Sequence, residues 1–375
     1  MTNSFLTAQE IARQSLLILR DNLVFPMLAY RDCSHDFAKK GDTIQVKKPP
    51  VYQADEFNGT INPQAIEEEN VLVTLDKIAD VSVEVTAKEM ALNLSSFTEQ
   101  VITPAAIAIA EKINSDGLKL YQDIPYTVGA AGTTPDGLDD FANIRKSLNL
   151  RKAPVSQRFA VWDPEADCKF SVLEAIVSAE KSGSTAALRE GSIGRIQGID
   201  NYMSQAVPDH NKGTLAASAG NIVLKTAVAA ASATTEITLT KTAGNSLSGT
   251  LVKGDILTFA DCEGQYVVTS GGTAAADELT VSVYPAINEA ITTAKACTVV
   301  ADHTANLAFH KNAFAFVTRP LELARGVESY VTNFEGLSLR VTFSYDATYK
   351  KQMLSIDTLY GFKTLYPELA VRVLG

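Results

Sequence analysis

Thr43-Ile44-Gln45-Val46-Lys47 alternates apolar and polar residues, and Val71-Leu72-Val73-Thr74-Leu75 and Val81-Ser82-Val83-Glu84-Val85 are strand-like in the same manner. A period of two marks a strand with one face covered. Between the first two runs lie Gly59, Asn62-Pro63 and an acidic interval made of Asp55, Glu56, Glu67, Glu68 and Glu69, with no Lys or Arg from Asp55 to Glu69. The pattern predicts a long hairpin within Gly41 to Glu89 whose far end is polar and acidic. A lone two-stranded hairpin is marginally stable in water, so a long one needs something to pack on, and a second copy of the chain fits that need. The five acids are therefore the candidate inter-subunit contacts. A solvated face is the plainer reading of the same charges.

Amino-terminal to the hairpin, Thr7 and Glu10 have capping-box spacing. The apolar run Ile11, Leu16, Leu17, Ile18, Leu19 predicts a helix continuing towards Phe25, where Pro26 ends or bends it. Carboxyl-terminal to it, Ser96 and Glu99 form a second capping box, and Thr103-Pro104 places Pro at a first helical position. Ile107, Ala110, Ile113, Gly117, Leu120 and Ile124 then recur every three or four residues, which predicts an apolar helix face. Leu138, Phe141, Ile144 and Leu148 predict another helix. Arg158 to Trp162 reads as a strand, Glu165 to Lys181 as a helix, and Gly191, Gly194 and Gly198 as turns needing positive φ.

At Thr214 the composition changes. Ala and Thr supply 35 of the 92 residues from Thr214 to Ala305. Short Val/Ile/Thr runs (Glu236 to Thr240, Asp255 to Phe259, Tyr266 to Thr269, Leu279 to Tyr284, Cys297 to Val300) alternate with Gly, Asn and Asp turns. Strands at this spacing predict a small barrel or sandwich, inserted where mixed helix and strand resume on both sides. After Asn306, strands are expected at Leu307 to Phe309, Ala313 to Val317, Leu337 to Tyr345 and Lys351 to Tyr360.

Hydrophobic residues are 46% of the 375, which suits packed cores. No apolar run reaches the roughly 20 residues of a membrane span. Met1 to Leu6 lacks the basic-then-apolar order of a signal peptide, so a soluble protein kept in the cytoplasm where it is made is expected. The net charge is −10, without a Lys/Arg block, which argues against affinity built on neutralising phosphates. Cys33, Cys168, Cys262 and Cys297 form no Cys-x-x-Cys pair, so no zinc site is expected and they read as small buried or half-buried residues.

Chemistry-bearing motifs are missing. HExxH, G-x-S-x-G and a Walker A ending are absent, and His35, His210, His303 and His310 stand without a visible nucleophile. Asp209-His210 and His310-Lys311 read as surface or hydrogen-bonded structural pairs. Trp162 and the cluster Phe309, Phe314, Phe316 read as core, since base stacking would need interleaved cations. No catalytic residue, cofactor or metal is expected.

Three stretches taken together resemble one family. They are Ala187 to Asp200 (ALREGSIGRIQGID) running on to Ala206-Val207-Pro208; Asn306 to Phe314 (NLAFHKNAF) ending in Arg319-Pro320-Leu321; and Leu337 to Arg340 with Tyr345-Asp346, Ser355 to Gly361 and Pro367 to Arg372. In this order they resemble the major coat proteins of tailed phages of the P22-like group, and Lys253 to Ala260 (KGDILTFA) is similar to that group's insertion domain. The resemblance implies an α+β, HK97-like phage capsid fold: an amino-terminal arm (1–40), an E-loop hairpin with return strands (41–94), a peripheral domain with a spine helix (95–134), an axial domain (135–213), an inserted all-β domain (214–305) and returning axial and peripheral segments (306–375). It implies a virion shell of hexamers and pentamers around double-stranded DNA, assembled in a bacterial cytoplasm with a scaffolding protein, a portal protein and room for a decoration protein, and with no membrane. No long helical segment precedes the arm, so the scaffold is expected to be a separate chain. An encapsulin-like compartment shares the same fold implication. A glycan- or receptor-binding role for the β-rich insert is the reading from a different class.

Overall fold

A computed structural model describes residues 8–31, 43–47, 70–86, 98–178, 189–230, 232–323, 326–334, 336–346 and 351–375. It divides into two compact units, Met1–Asn114 with Phe314–Leu365, and Ser115–Ala313 with Tyr366–Gly375.

The first unit is built on a five-stranded antiparallel sheet. Its fourteen-residue strand Lys351–Thr364 pairs on one side with Lys77–Thr86, and on the other with Leu337–Asp346 and then Phe314–Arg319. Glu328–Phe334 completes the order beyond Leu337–Asp346. Helix Ala8–Asn22 buries Ile11, Ala12, Leu16 and Leu19, one face at a spacing of three to four residues, against the Glu328–Phe334 and Leu337–Asp346 strands. The helix stops short of the expected Phe25. The Asn114 side chain accepts from the Val24 amide (3.1 Å) and donates to the Asn22 carbonyl (3.0 Å), taking over groups that a continuing helix would use. Pro26 then lies in the first turn of a separate short helix, Phe25–Leu28, where its missing N–H costs nothing. Further on, a π-turn Thr98–Ile102 precedes helix Thr103–Leu118, which buries Ala106, Ile109, Ala110 and Ile113; of the predicted face, Ile107 is half-buried, and Leu120 and Ile124 lie beyond the helix end. Gly117 sits in its last turn.

The second unit has a seven-stranded sheet in which Thr127–Val128, Ala370–Leu374, His303–His310, Arg158–Trp162, Ile199–Met203 and Arg195–Ile196 follow one another, with Asp209–His210 paired to His303–His310. Helix Leu138–Leu150 buries Phe141, Ile144 and Leu148, which join Trp162 and Phe170 in one core. The expected helix over Glu165 to Lys181 breaks instead into Pro164–Ser171 and Glu174–Val177. Asp163 caps the first piece by accepting from the Glu165 and Ala166 amides (3.0 and 3.4 Å).

Six strands close into a barrel in the order Ile222–Leu224, Thr234–Lys241, Leu279–Ile287, Gln265–Ser270, Ile256–Phe259 and Ala296–Val299. Leu279, Val281, Val283 and Ile287 face inward with Leu239, Leu257, Phe259 and Val268, as a period of two demands. Closure leaves no free edge. All five strands read from the insert's sequence are present, and the barrel is entered and left beside the paired residues His210 and His303.

Candidate assembly elements

The hairpin is real at its base. Thr43–Lys47 pairs antiparallel with Asn70–Thr74, Thr43 opposite Thr74 and Lys47 opposite Asn70. The five acids proposed as contacts, Asp55, Glu56, Glu67, Glu68 and Glu69, lie outside the described residues, as do Thr7, Ser96, Cys33 and His35. Where the second strand leaves the hairpin, a Cβ on Gly361 would sit 2.2 Å from the Thr74 carbonyl oxygen, so only glycine lets the two backbones approach this closely. The adjoining sheet is tied by charge: Lys351 donates to Glu84 (2.6 Å), and Arg340 grips Asp357 with two nitrogens. That carboxylate, ahead of the opposing effect of burial, holds the Arg340 guanidinium above its ordinary pKa.

Within the second unit the barrel is bolted to the sheet by polar groups. Arg372 is fully buried, and both of its terminal nitrogens donate to the Gly254 carbonyl (3.0 Å each). It also donates to the Tyr121 carbonyl (3.2 Å) and lies over the Tyr121 ring, 4.5 Å from its centroid. Burial lowers this guanidinium to about 10. Asp255, equally buried, accepts from the Val252 amide (2.8 Å), the Gly213 amide and His210 Nε2 (3.0 Å). A carboxylate only accepts, so Nε2 carries the His210 proton and Nδ1 accepts from the Tyr121 hydroxyl at 3.1 Å. His303 Nδ1 donates to the Ala301 carbonyl (2.7 Å), leaving Nε2 to accept from Arg372 (3.3 Å). Burial above all, with Arg372 and His210 beside it, pushes His303 down to about 4. Further out, Gln265 exchanges two hydrogen bonds with Thr127 (2.8 and 2.9 Å), Tyr284 donates to Glu368, and Lys253 pairs with Asp123 (2.8 Å).

A third feature is the outer side of helix Leu138–Leu150. An open groove of about 500 Å³ is lined by Ala142, Arg145, Lys146, Asn149, Leu150 and Gln197.

The residues singled out from sequence are placed as follows. His210, His303 and His310 are buried, the first two inside the junction, as hydrogen-bonded structural groups. Trp162, Phe309, Phe314 and Phe316 are core residues. Gly191, Gly194 and Gly198 have positive φ, as expected of the turns. Cys297 is buried and Cys262 half-buried, but Cys168 is exposed, because Ala166 and Phe170 supply the inward face of its short helix. Tyr121 and Arg372 were not recognised as a pair.

Residues 257–375 match the family model of the P22 coat protein, gene protein 5. A structure of Mycobacterium phage Che8 is similar over 94% of this chain and 90% of its own, with a TM-score of 0.53 at 15% identity. The chain has the HK97-like fold, and its carboxyl-terminal third matches the coat-protein family. Lesser likenesses run to the capsid of cyanophage P-SCSP1u (TM-score 0.48, 13% identity, 89% of this chain and 84% of that one) and to the mature capsid of bacteriophage PhiM1 (0.44, 10%, 89% and 82%). No curated protein sequence matches the chain. The coat-protein match takes in the barrel strands after Ile256, the whole of His303–His310 and Arg372, so the junction draws His303 and Arg372 from the matched region and Tyr121, His210, Gly254 and Asp255 from outside it.

Proposed function

We propose that this chain is the major coat protein of a tailed phage, assembling as hexamers and pentamers into an icosahedral shell around double-stranded DNA. The coat-protein match over residues 257–375 carries the reading. Its work is done by surfaces between copies, with no catalysis and no cofactor. A net charge of −10 suits a wall that holds a polyanion without gripping it. The subunit divides into an arm (1–40), an E-loop hairpin (41–94), a peripheral domain (95–134), an axial domain (135–213), the insert (214–305) and returning segments (306–375). Asp55, Glu56, Glu67, Glu68 and Glu69 reach a neighbouring copy. A scaffolding protein guides closure in the host cytoplasm, a portal protein occupies one vertex, and a decoration protein can bind the finished shell.

Electron microscopy of the purified protein, alone and with a scaffolding partner, tests this. Shells or capsomers are expected, and a protein that stays monomeric under every assembly condition overturns the reading. Nuclease-resistant DNA inside particles purified from infected cells identifies a genome container; protein cargo in its place identifies a compartment of another kind.

A further inference from the structure

Helix Leu138–Leu150 separates its charges along its length. Asp136 and Asp139 stand exposed at the amino-terminal end, Arg145 and Lys146 on the carboxyl-terminal half. Asp140 is committed within the chain, accepting from the Asp136 and Gly137 amides (3.2 Å each). Among the described residues, the other four form no ion pair or side-chain hydrogen bond, whereas many exposed charges elsewhere in this unit do, such as Lys225 with Glu278 and Lys295 with Asp261. Apolar side chains accompany both ends: Leu138 is 38% exposed at the acidic end, and Leu150 is 74% exposed at the basic end, where it lines the groove. Acids at the start and bases at the end also complement the helix dipole. The dipole accounts for the order of the charges, but not for a leucine left three-quarters bare among them.

We propose that this helix face is a head-to-tail contact between two copies of the chain: the Asp136–Asp139 turn of one copy enters the groove of the next, setting its acids on Arg145 and Lys146 and Leu138 against Leu150. The inference deepens the shell reading and rests on it. A surface whose two ends complement each other, instead of matching themselves, makes a heterologous contact, and heterologous contacts generate rings when the rotation closes. Copies that each carry a net charge of −10 repel at long range. A local pairing of opposite charge then sets the register of neighbours and excludes the reversed one.

Charge exchange tests it. The variant Arg145→Glu/Lys146→Glu carries acid at both ends, and Asp136→Lys/Asp139→Lys carries base at both ends. Each alone should raise the concentration at which shells form by tenfold or more, read by sedimentation and microscopy, with the subunit's circular dichroism unchanged. Mixed in equal amounts the two should assemble again, in rings with an even number of copies. All four changes in one chain should restore assembly as well. If wild type assembles and the separate variants assemble as it does, or if neither mixing nor the fourfold exchange restores assembly, this contact is wrong while the shell reading stands. A wild-type chain that never assembles overturns both. Should the fourfold variant fail to fold, Asp139→Asn and Lys146→Gln replace it. Effects on the assembly concentration that are less than additive support the pairing, and purely additive ones refute it.

Discussion

Replacing Arg372 by Met asks how much of the second unit's stability sits at the foot of the barrel. Methionine keeps most of the side-chain volume and removes every donor. The Gly254 carbonyl loses two hydrogen bonds at 3.0 Å and the Tyr121 carbonyl one at 3.2 Å. A buried acceptor deprived of its partner costs about 1–3 kcal/mol, and the lost contact over the Tyr121 ring adds about 1 kcal/mol. In the other direction, the methionine needs no desolvation of a guanidinium, which costs several kcal/mol. Asp255, buried at the same junction, meanwhile loses the electrostatic interaction it has with this guanidinium. Removing one member of a buried charged set costs about 3–5 kcal/mol net, or roughly 10 °C in a unit of about two hundred residues at about 2–4 °C per kcal/mol. Circular dichroism during heating measures it. Arg372→Lys keeps the charge but cannot span both carbonyls, so it should fall about midway. A methionine variant melting within about 3 °C of wild type would refute the idea that the guanidinium fork holds the barrel to the sheet.

Acid should loosen the same junction. Burial holds His303 at about 4 against an ordinary 6.5, so the unfolded chain binds this proton first. Stability is complete above pH 6.5 and falls by about 3 kcal/mol as pH drops to 4. The urea midpoint of His303→Gln should therefore vary less with pH across that window than wild type's, and parallel curves would exclude a role for His303. Gly361→Ala places a methyl 2.2 Å from the Thr74 oxygen and should cost about 3 kcal/mol or more in the first unit, measured by chemical denaturation. Leu239→Ala empties part of the barrel core and should cost about 2–5 kcal/mol by the same measurement. Deleting Asp55 to Glu69 should leave a folded, soluble subunit that assembles poorly; a chain unfolded by that deletion would show the hairpin to be core.

What could be read from sequence was local. Phe141, Ile144 and Leu148 repeat at helical spacing, and Leu279, Val281 and Val283 at strand spacing, because each element pairs one covered face with one wet face. Ile222–Leu224 is too short to show any period, and Glu328–Phe334, half exposed along the sheet's last strand, shows little contrast between its faces. The junction was hidden for a different reason. Arg372 stands in Ala370-Val371-Arg372-Val373-Leu374, every member of it buried, and its acceptor Gly254 lies 118 residues away. A charge in an unbroken apolar strand was the available clue, since such a residue needs a buried partner. Which partner it has depends on the strand pairing of His303–His310 with Ala370–Leu374, and no local pattern encodes that.

Two ways of treating charge then separate what holds a subunit together from what joins subunits. Inside the second unit, Arg372 and Asp255 are desolvated, gripped by several fixed partners and carried by backbone from both the sheet and the barrel turn. Such groups are costly to bury and costlier to unpair, so they fix one arrangement of barrel on sheet and resist sliding. On helix Leu138–Leu150, Asp139, Arg145 and Lys146 are exposed and form no ion pair among the described residues. Each is worth little alone and is weakened by salt. A shell repeats its contact at every subunit, so a weak and reversible contact suffices, and it lets misplaced copies leave before closure. A rigid subunit with soft, salt-sensitive faces should therefore assemble less readily as ionic strength rises while its melting temperature barely moves. A melting temperature that fell in step with assembly would place both effects in the fold and none in the faces.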